Sequence, residues 1–384
     1  MDFAKLIEQK DDVIHGYRKK KYDSLVGGKI SIEEGHVGFL DEHTVQVDAR
    51  QLTGDKILIA TGSRPVIPDI EGLNDVPFLT SDLLTNGESM EMWDLPRSLI
   101  ILGGGYIALE LGQMFRRFGE VTILQRSGQL LAHGYEPEVG AAVKEAFKRE
   151  GIGVLTNTSV RSVRQEGNEV IAKLQTGGAT RELRADKLLV TTARRPNSDS
   201  IAIEKAGVAL GEHGAVRVDE FLRTNVPHIF AAGDVIGREL HSQMATPVGS
   251  QDGGMVAHNA FASEGPRPVN HRVVPRTIFT DPQVAVVGMT EEDALAAGHP
   301  CWCNVVPMAL VPRAGAIRDT AGMIKMVAND ETEEVLGVSM VGTSAGEVIH
   351  EAAMAMHFHA KIRDFIDLLH VYPTMAEALK IVAN

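Results

Sequence analysis

The amino-acid sequence predicts an α/β fold with a Rossmann-like unit in the middle of the chain and an α+β domain towards its C-terminal end. Residues 98–102 form an apolar run that ends in the pattern Gly-x-Gly-x-x-Ala, a helical pattern follows, and a second apolar run covers residues 121–124. This order is typical of a dinucleotide-binding βαβ unit. Strand and helix patterns alternate again over residues 272–384.

The segments around this unit are predicted from hydrophobic periodicity. Residues 2–25 have apolar side chains at helical spacing, and short alternating runs between residues 29 and 62 predict a set of strands. Residues 95–194 continue from the βαβ unit into further strands, while residues 195–262 return to loops, one short strand and a helix. The stretch SEGPRPVNHR, residues 263–272, predicts a linker to the last domain.

Length and charge limit the class of protein. The chain has 384 residues, 44% of them hydrophobic, and a formal net charge of -13, which disfavours binding to nucleic acid or to an anionic membrane surface. At about 150 residues a domain the length predicts two or three domains. No stretch approaches the roughly 18–20 apolar residues that span a bilayer, and residues 1–20 lack a secretory core. We therefore expect a cytoplasmic protein with neither nucleic acid nor membrane as a partner.

The chain contains two cysteines, Cys301 and Cys303. They alternate with Trp302, so a strand would direct both to one face, and a disulfide between residues two apart would be strained. Two interpretations remain open: small apolar residues in a strand, or part of a site for a soft metal ion.

Each small residue of the glycine pattern has a physical role. Gly103 permits a tight turn, Gly105 lets the backbone approach a pyrophosphate, and Ala108 keeps the helix close to the strand. The helix N-terminus offers unpaired N–H groups to phosphates. Glu110, which we place in the first helical turn, either contacts the cofactor or complements the helix dipole.

The end of the second strand indicates which nucleotide binds. NAD-binding units place Asp or Glu there to hold the ribose hydroxyls, but this chain has Gln125 and Arg126. A guanidinium can pair with a 2′-phosphate that a carboxylate would repel, which favours NADPH. The alternative is an exposed arginine without a ligand.

Two further motifs end apolar strands in glycine. The run KILIATGSRP contains Thr61 and Gly62, and the run TNVPHIFAAGDV contains Gly233 and Asp234. Glycine at a strand end allows backbone contact with a cofactor, and the aspartate can accept hydrogen bonds from ribitol or ribose hydroxyls.

Together with TTARRPN and PRTIFTDPQVAVVGMTEEDA, these motifs resemble those of the FAD- and NAD(P)-dependent pyridine nucleotide-disulfide oxidoreductases, in the same order over nearly the whole chain. The resemblance implies that residues 1–94 and 195–262 are the remainder of an FAD-binding domain, that residues 95–194 bind NADPH, and that residues 272–384 form the dimerisation domain. The family's first GxGxxG and its CxxxxC redox pair are not in this sequence, so we expect that the FAD-binding domain is incomplete. As FAD contacts the resemblance implies Thr61, Gly62 and Asp234, with the backbones of Val37 and Ser242 as weaker candidates.

The C-terminal stretch LLHVYPTMAEALK narrows the resemblance. Glutathione- and lipoamide-type relatives have a catalytic histidine before the Pro-Thr pair; here that position is Tyr372, while the downstream Glu377 is retained. In both respects the stretch resembles mercuric reductases, which also have a second tyrosine in an early helix, matched by Tyr22. The resemblance implies that both phenol oxygens steer or ligate Hg(II), bound as a thiolate complex, in a homodimer whose partner subunit supplies Tyr372. The alternative is two core or interface tyrosines.

The sequence leaves a second possible metal site and three functions open. His350, Met354 and His357 share one predicted helix face with His359 nearby, which fits either interface packing or soft-metal binding. The leading function is reduction of Hg(II) to Hg(0) by NADPH through FAD. The alternatives are another flavin disulfide reductase or diaphorase, of dihydrolipoamide dehydrogenase type, and a non-catalytic NADPH-binding dimer.

Overall fold

The computed structural model describes residues 3–26, 28, 30–84, 95–238, 240 and 242–384. They form two compact units, which are described one at a time. Unit 1 comprises the described residues of 1–66 and 193–272 together with Leu84. Unit 2 comprises the described residues of 67–83, 95–192 and 273–384.

The α-helices of the described residues are α1 (Phe3–Val26), α2 (Tyr106–Arg116), α3 (Pro137–Arg149), α4 (Thr246–Phe261), α5 (Glu291–Ala296), α6 (Pro312–Ile317), α7 (Ala345–His357), α8 (Ile362–Asp367) and α9 (Glu377–Ala383). The strands are β1 (Val37–Phe39), β2 (Thr44–Val47), β3 (Arg50–Thr53), β4 (Ile57–Ile59), β5 (Ser63–Pro65), β6 (Phe78–Thr80), β7 (Ser98–Leu102), β8 (Glu120–Leu124), β9 (Gly153–Leu155), β10 (Thr158–Glu166), β11 (Glu169–Thr176), β12 (Ala179–Ala185), β13 (Lys187–Val190), β14 (Arg194–Pro196), β15 (Ile229–Ala231), β16 (Arg276–Ile278), β17 (Gln283–Gly288), β18 (Cys301–Pro307), β19 (Met323–Asn329) and β20 (Val335–Gly342).

Unit 1 is built from short strands and two longer helices. Strands β1, β2 and β3 form an antiparallel meander, β4 lies parallel to β15, and β5 lies antiparallel to β14. The core contains buried aliphatic and aromatic residues from these strands, from the turns between them and from α4, among them Ile59, Phe230 and Val256. Burial of each such side chain contributes about 1.5–3 kcal/mol. The helix predicted over residues 2–25 is α1, with Asp2 outside the described residues. The strands predicted between residues 29 and 62 include β1, β2 and β4.

The first half of unit 2 is a parallel sheet in the order β6-β13-β7-β8-β9. Four of the five residues of β7 are buried, as expected for a parallel strand covered on both faces. Helix α2 lies close to this sheet: a Cβ on Gly112 would be 3.1 Å from Cδ1 of Ile123. Strands β10, β11 and β12 form a separate antiparallel sheet. Strand β6 comes from the segment that the resemblance assigned to the FAD-binding remainder, yet it pairs with β13.

The second half of unit 2 is an antiparallel sheet in the order β16-β17-β20-β19-β18. Residues of α7, α8 and α9, including Ile349, Phe365 and Leu379, pack with sheet residues such as Met326 and Met340 in one apolar core. The parallel and antiparallel sheets, each with its helices, confirm the predicted fold class of Rossmann-like units followed by an α+β domain.

Candidate active site

The glycine turn after β7 leaves an open cradle at the start of α2. Gly103 has φ 109°, and a Cβ there would lie 2.6 Å from the carbonyl oxygen of Thr191, so only glycine fits. Gly105 is the N-cap of α2. Among the described residues no side chain caps this helix, and apart from its chain neighbours no residue comes within 4 Å of the place of the missing Cβ. Ala108 is fully buried. Uncapped N–H groups beside an open glycine fit a pyrophosphate.

The residues after β8 sit beside this turn. Nε2 of Gln125 donates to Oγ of Ser127 at 2.5 Å and to the carbonyl oxygen of Gln129 at 3.2 Å. These two bonds hold the Gln125 amide against the following loop. Arg126 is exposed, so its guanidinium can reach a phosphate without a desolvation penalty.

Glu110 is not in the first turn of α2, because the helix begins at Tyr106. Instead of facing solvent as a partner for the helix dipole, its Oε1 accepts the backbone N–H of Phe279 at 2.8 Å. Burial raises the pKa of Glu110, and the Phe279 hydrogen bond opposes that shift in part. Glu110 therefore lies where α2 meets the segment after β16. Glu110 is the fifth residue of α2, so the expectation that it lies in the first turn is wrong by one residue.

In unit 1, Thr61 and Asn197 exchange hydrogen bonds. Oγ1 of Thr61 donates to the Asn197 carbonyl oxygen, and Nδ2 of Asn197 donates to the Thr61 carbonyl oxygen, both at 3.0 Å. Gly62, which follows Thr61, has φ 72°. Apart from its chain neighbours, no described residue lies within 4 Å of the place of its missing Cβ. The pair thus presents an open glycine backbone rather than a threonine hydroxyl.

Asp234 lies in a 3-10 turn, Gly233–Ile236, directly after β15. Its Oδ2 accepts a hydrogen bond from Oγ of Ser63 at 2.6 Å. Ser63 in turn accepts from Nε of Arg194 at 2.8 Å. Sequence reasoning found Asp234 but neither of these partners, although both lie in quoted motifs, GSRP and ARRPN.

The two weaker FAD candidates differ in environment. Val37 is half-buried in β1 and pairs with Val47. Ser242 is 1% exposed, and its hydroxyl has no hydrogen-bond partner among the described residues. The Ser242 hydroxyl, the open backbone at Gly62 and the Asp234 carboxylate are donors and acceptors of the kind that a flavin dinucleotide needs.

The C-terminal tyrosine lies on the surface of unit 2. Tyr372 is 73% exposed. Oε2 of Glu377 accepts the backbone N–H of Thr374 at 3.0 Å, so this carboxylate fixes the turn after Tyr372. Sequence reasoning did not single out His370: it is 5% exposed, its Nε2 lies 2.9 Å from Oε1 of Glu351, and its Nδ1 has no partner within the part of the chain described.

The remaining candidates are dispersed. Tyr22 lies on α1 in unit 1 and is 47% exposed, whereas Tyr372 belongs to unit 2. On α7, His350, Met354 and His357 are exposed, and the nearby His359 bonds Glu334 through Nδ1 at 2.7 Å. No group of three or more His, Cys, Asp or Glu residues able to hold a metal occurs among the described residues.

The cysteines are free thiols on β18. Burial, with the nearby Glu291 carboxylate, raises the pKa of Cys303 to about 12. Burial also raises the pKa of Cys301. No helix in the described ranges is long and apolar enough to cross a membrane.

A glycine turn open to a pyrophosphate in unit 2 and a glycine–aspartate site in unit 1 define an oxidoreductase that binds two dinucleotides. The chain belongs to the pyridine nucleotide-disulphide oxidoreductases: residues 3–263 match that family and residues 274–383 match its dimerisation domain. Proteins of this family are flavoprotein oxidoreductases that use FAD and NAD(P)H.

The chain is similar to proteins with three different names. The chain is 38% identical over 384 residues to a mercuric reductase of Staphylococcus aureus, which covers all of this chain and 68% of that protein. It is 32% identical over 383 residues to a dihydrolipoyl dehydrogenase of Geobacillus stearothermophilus, covering 98% of this chain and 78% of that one. The structure of the HOCl-induced flavoprotein disulfide reductase RclA from Escherichia coli matches with a TM-score of 0.87 at 30% identity, covering 100% of this chain and 86% of that chain.

Proposed function

We propose that the protein reduces Hg(II), delivered as a thiolate complex, to Hg(0) with electrons from NADPH. The observation that carries the proposal is Tyr372 at the position before Pro373 and Thr374, with Glu377 bonded to the backbone of that turn instead of to an imidazole. A phenol with its reference pKa of about 10 is a poor base at neutral pH, but its oxygen can steer a metal ion. The 38% identity to a mercuric reductase supports the proposal.

The cofactor roles follow from the two glycine sites. We assign Gly103, Gly105 and Ala108, with Gln125, Arg126 and Glu110, to NADPH. We assign Thr61, Gly62 and Asp234, with Val37 and Ser242, to FAD. When bound, the flavin supplies two-electron transfer between the nicotinamide and the substrate. The exposed Arg126 guanidinium favours NADPH over NADH because it can pair with the 2′-phosphate.

The tyrosines act on the substrate. Hg(II) is a soft ion that reaches the protein held by two thiolates, and the phenol oxygens of Tyr22 and Tyr372 would contact it in that complex. The balance is NADPH + H⁺ + Hg(SR)₂ → NADP⁺ + Hg(0) + 2 RSH, in which both electrons come from the nicotinamide. We assign Tyr372 to the active site of the partner subunit in a homodimer. The exposed apolar run of Leu369, Val371 and Tyr372 and the matched dimerisation domain support that assignment.

A second candidate is a reductase of small disulfides, or a diaphorase. The identity to a dihydrolipoyl dehydrogenase and the structural likeness to RclA favour it. The two candidates differ in what they need from residue 372, since only Hg(II) turnover depends on a phenol oxygen there. A non-catalytic NADPH-binding dimer is the third candidate, and it predicts no turnover with either substrate.

The test compares Tyr372→Phe and Tyr22→Phe with Tyr17→Phe, a matched control on α1 that is 72% exposed. NADPH oxidation is measured with an Hg(II)–thiol complex and, separately, with a quinone or dye that accepts electrons from the flavin. We expect Tyr372→Phe and Tyr22→Phe to lose Hg(II) turnover about tenfold or more while dye reduction stays within twofold, and the control to keep both. Equal losses in both assays would indicate structural tyrosines, and no Hg(II)-dependent oxidation by the wild-type protein would remove the proposal.

A further inference from the structure

The carboxylate of Asp234 is held by a chain of two other side chains in unit 1. Oγ of Ser63 lies 2.6 Å from Oδ2 of Asp234, and Nε of Arg194 lies 2.8 Å from the same Oγ. Nη2 of Arg194 also donates to the backbone oxygen of Ser63 at 2.8 Å. Arg194 therefore contacts Ser63 at two points, through its hydroxyl and through its carbonyl.

The direction of this chain is fixed by chemistry. A guanidinium N–H can only donate, so Oγ of Ser63 must accept from Arg194. A hydroxyl has a single hydrogen, so that hydrogen goes to the Asp234 carboxylate, which accepts it. The order of donation is Arg194 to Ser63 to Asp234, and reversing it would leave the guanidinium N–H facing a hydroxyl hydrogen.

The strands around Ser63, Arg194 and Asp234 bring the three residues together. Ser63 begins β5 and Arg194 begins β14, and these strands pair with Pro196 opposite Ser63. Asp234 follows β15, which lies parallel to β4, the strand just before β5. All three side chains are half-buried, where a hydrogen bond to a charged group is stronger than in bulk water.

We propose that Ser63 and Arg194 are positioning residues for FAD. By occupying Oδ2 of Asp234, Ser63 fixes the rotation of that carboxylate and leaves Oδ1 as the acceptor for a ribitol or ribose hydroxyl, while Arg194 holds the Ser63 hydroxyl in place. The Arg194 N–H polarises the Ser63 hydroxyl, which strengthens the hydrogen bond that this hydroxyl donates to Asp234. This inference rests on the assignment of Asp234 to FAD and is independent of the metal substrate.

The experiment measures the dissociation constant of FAD by quenching of flavin fluorescence, for the wild-type chain, Ser63→Ala, Ser63→Thr and Arg194→Lys. The matched control is Arg195→Lys, since Arg195 is the next residue of β14 and pairs instead with Asp199 at 3.2 Å. We expect Ser63→Ala and Arg194→Lys to weaken FAD binding about tenfold or more, the range for a hydrogen bond to a charged group. Ser63→Thr, which keeps the hydroxyl, and Arg195→Lys should stay within about threefold of the wild type.

A double-mutant cycle separates positioning from general stability. In an Asp234→Asn background the Ser63→Ala substitution should add less than about twofold, because the carboxylate it orients is gone. NADPH affinity and the thermal midpoint without FAD should not change in Ser63→Ala. Unchanged FAD affinity in Ser63→Ala, full additivity in the cycle, or a wild-type chain that binds no FAD would each overturn the inference. Hg(II) enters none of these measurements, so loss of Hg(II) turnover with the expected FAD affinities would remove the proposed function alone.

Discussion

Nζ of Lys325 lies 2.9 Å from Oε2 of Glu136, and both side chains are 3% exposed. Lys325 lies on β19 of the antiparallel sheet, whereas Glu136 is the N-cap of α3 beside the parallel sheet. Oε1 of Glu136 accepts the backbone N–H of Glu291 at 2.7 Å, and Lys325 also bonds the carboxylates of Glu138 and Glu291. A buried ion pair therefore joins the two halves of unit 2.

Removal of the ammonium should destabilise unit 2. Lys325→Met would leave the Glu136 carboxylate buried with one backbone N–H, and breaking a buried pair in this way costs about 3–5 kcal/mol. We expect the free energy of unfolding in urea to fall by this amount. Adding Glu136→Gln to Lys325→Met should restore part of the lost stability, because it removes the unpaired charge. The control is Lys173→Met, since Lys173 is an exposed lysine on β11. If the free energy of unfolding fell by less than about 1 kcal/mol in Lys325→Met, the buried ion pair would be contradicted.

The open glycine at the start of α2 should tolerate a side chain for folding but not for binding. No atom lies within 4 Å of a Cβ on Gly105, so Gly105→Val should fold while its side chain fills the space of the pyrophosphate. We expect the dissociation constant of NADPH, from nucleotide fluorescence, to rise by more than about tenfold. Gly16→Val on α1, also open, is the control; wild-type affinity in Gly105→Val would show that the nucleotide binds elsewhere.

Arg126 should set the preference between the two nicotinamide nucleotides. Loss of one charge-assisted bond to the 2′-phosphate predicts about tenfold weaker NADPH binding in Arg126→Ala, with NADH within about twofold. Gln125→Glu should further favour NADH, because a carboxylate can hold ribose hydroxyls. Dissociation constants for both nucleotides test this, with the exposed Arg181→Ala on β12 as a control. An equal effect on NADPH and NADH would rule out a role in selecting the 2′-phosphate.

A buried pair in unit 1 should make its stability depend on pH. Nε2 of His271 lies 2.7 Å from Oδ1 of Asp252 and Nδ1 lies 3.2 Å from the Leu240 carbonyl oxygen, with both side chains at most 2% exposed. Both ring nitrogens face acceptors, and the Asp252 hydrogen bond raises the pKa of His271 against the effect of burial.

Because the folded pKa lies above the unfolded value of about 6.5, the stabilisation is fully present below pH 6.5 and is lost as pH rises through the folded pKa. We expect the free energy of unfolding to fall over that range, and His271→Gln to remove this part of the dependence. His15→Gln on α1 should retain it. The difference in unfolding free energy between the wild type and His271→Gln isolates this group. A difference that does not become smaller as pH rises above 6.5 would contradict the prediction.

Local patterns were sufficient for the nucleotide turn. Gly103, Gly105 and Ala108 lie within six residues of one another. The structure requires glycine at 103 for its backbone conformation and a small residue at 108 for packing, while Gly105 leaves open the space that a pyrophosphate would take. The α/β fold class could also be predicted from the sequence, because apolar runs and helical periodicity are properties of short segments.

Contacts between distant segments could not be predicted. Ser63 and Asp234 are 171 residues apart, and Lys325 and Glu136 are 189 apart, so only the folded chain brings them together. Strand β6 has three residues, too few for periodicity to show that it joins the parallel sheet. Glu110 lies one residue beyond the first turn of α2, because a glycine pattern does not mark the first helical residue.

The most direct test of the account is the release of elemental mercury by the purified protein, supplied with FAD, NADPH and an Hg(II)–thiol complex and followed by atomic absorption of the vapour. We expect one Hg(0) for each NADPH oxidised, and a loss of Hg(0) release of about tenfold or more in Tyr372→Phe. NADPH oxidation by a disulfide or a dye without release of Hg(0) would contradict it and would identify the protein as a flavin disulfide reductase of another specificity.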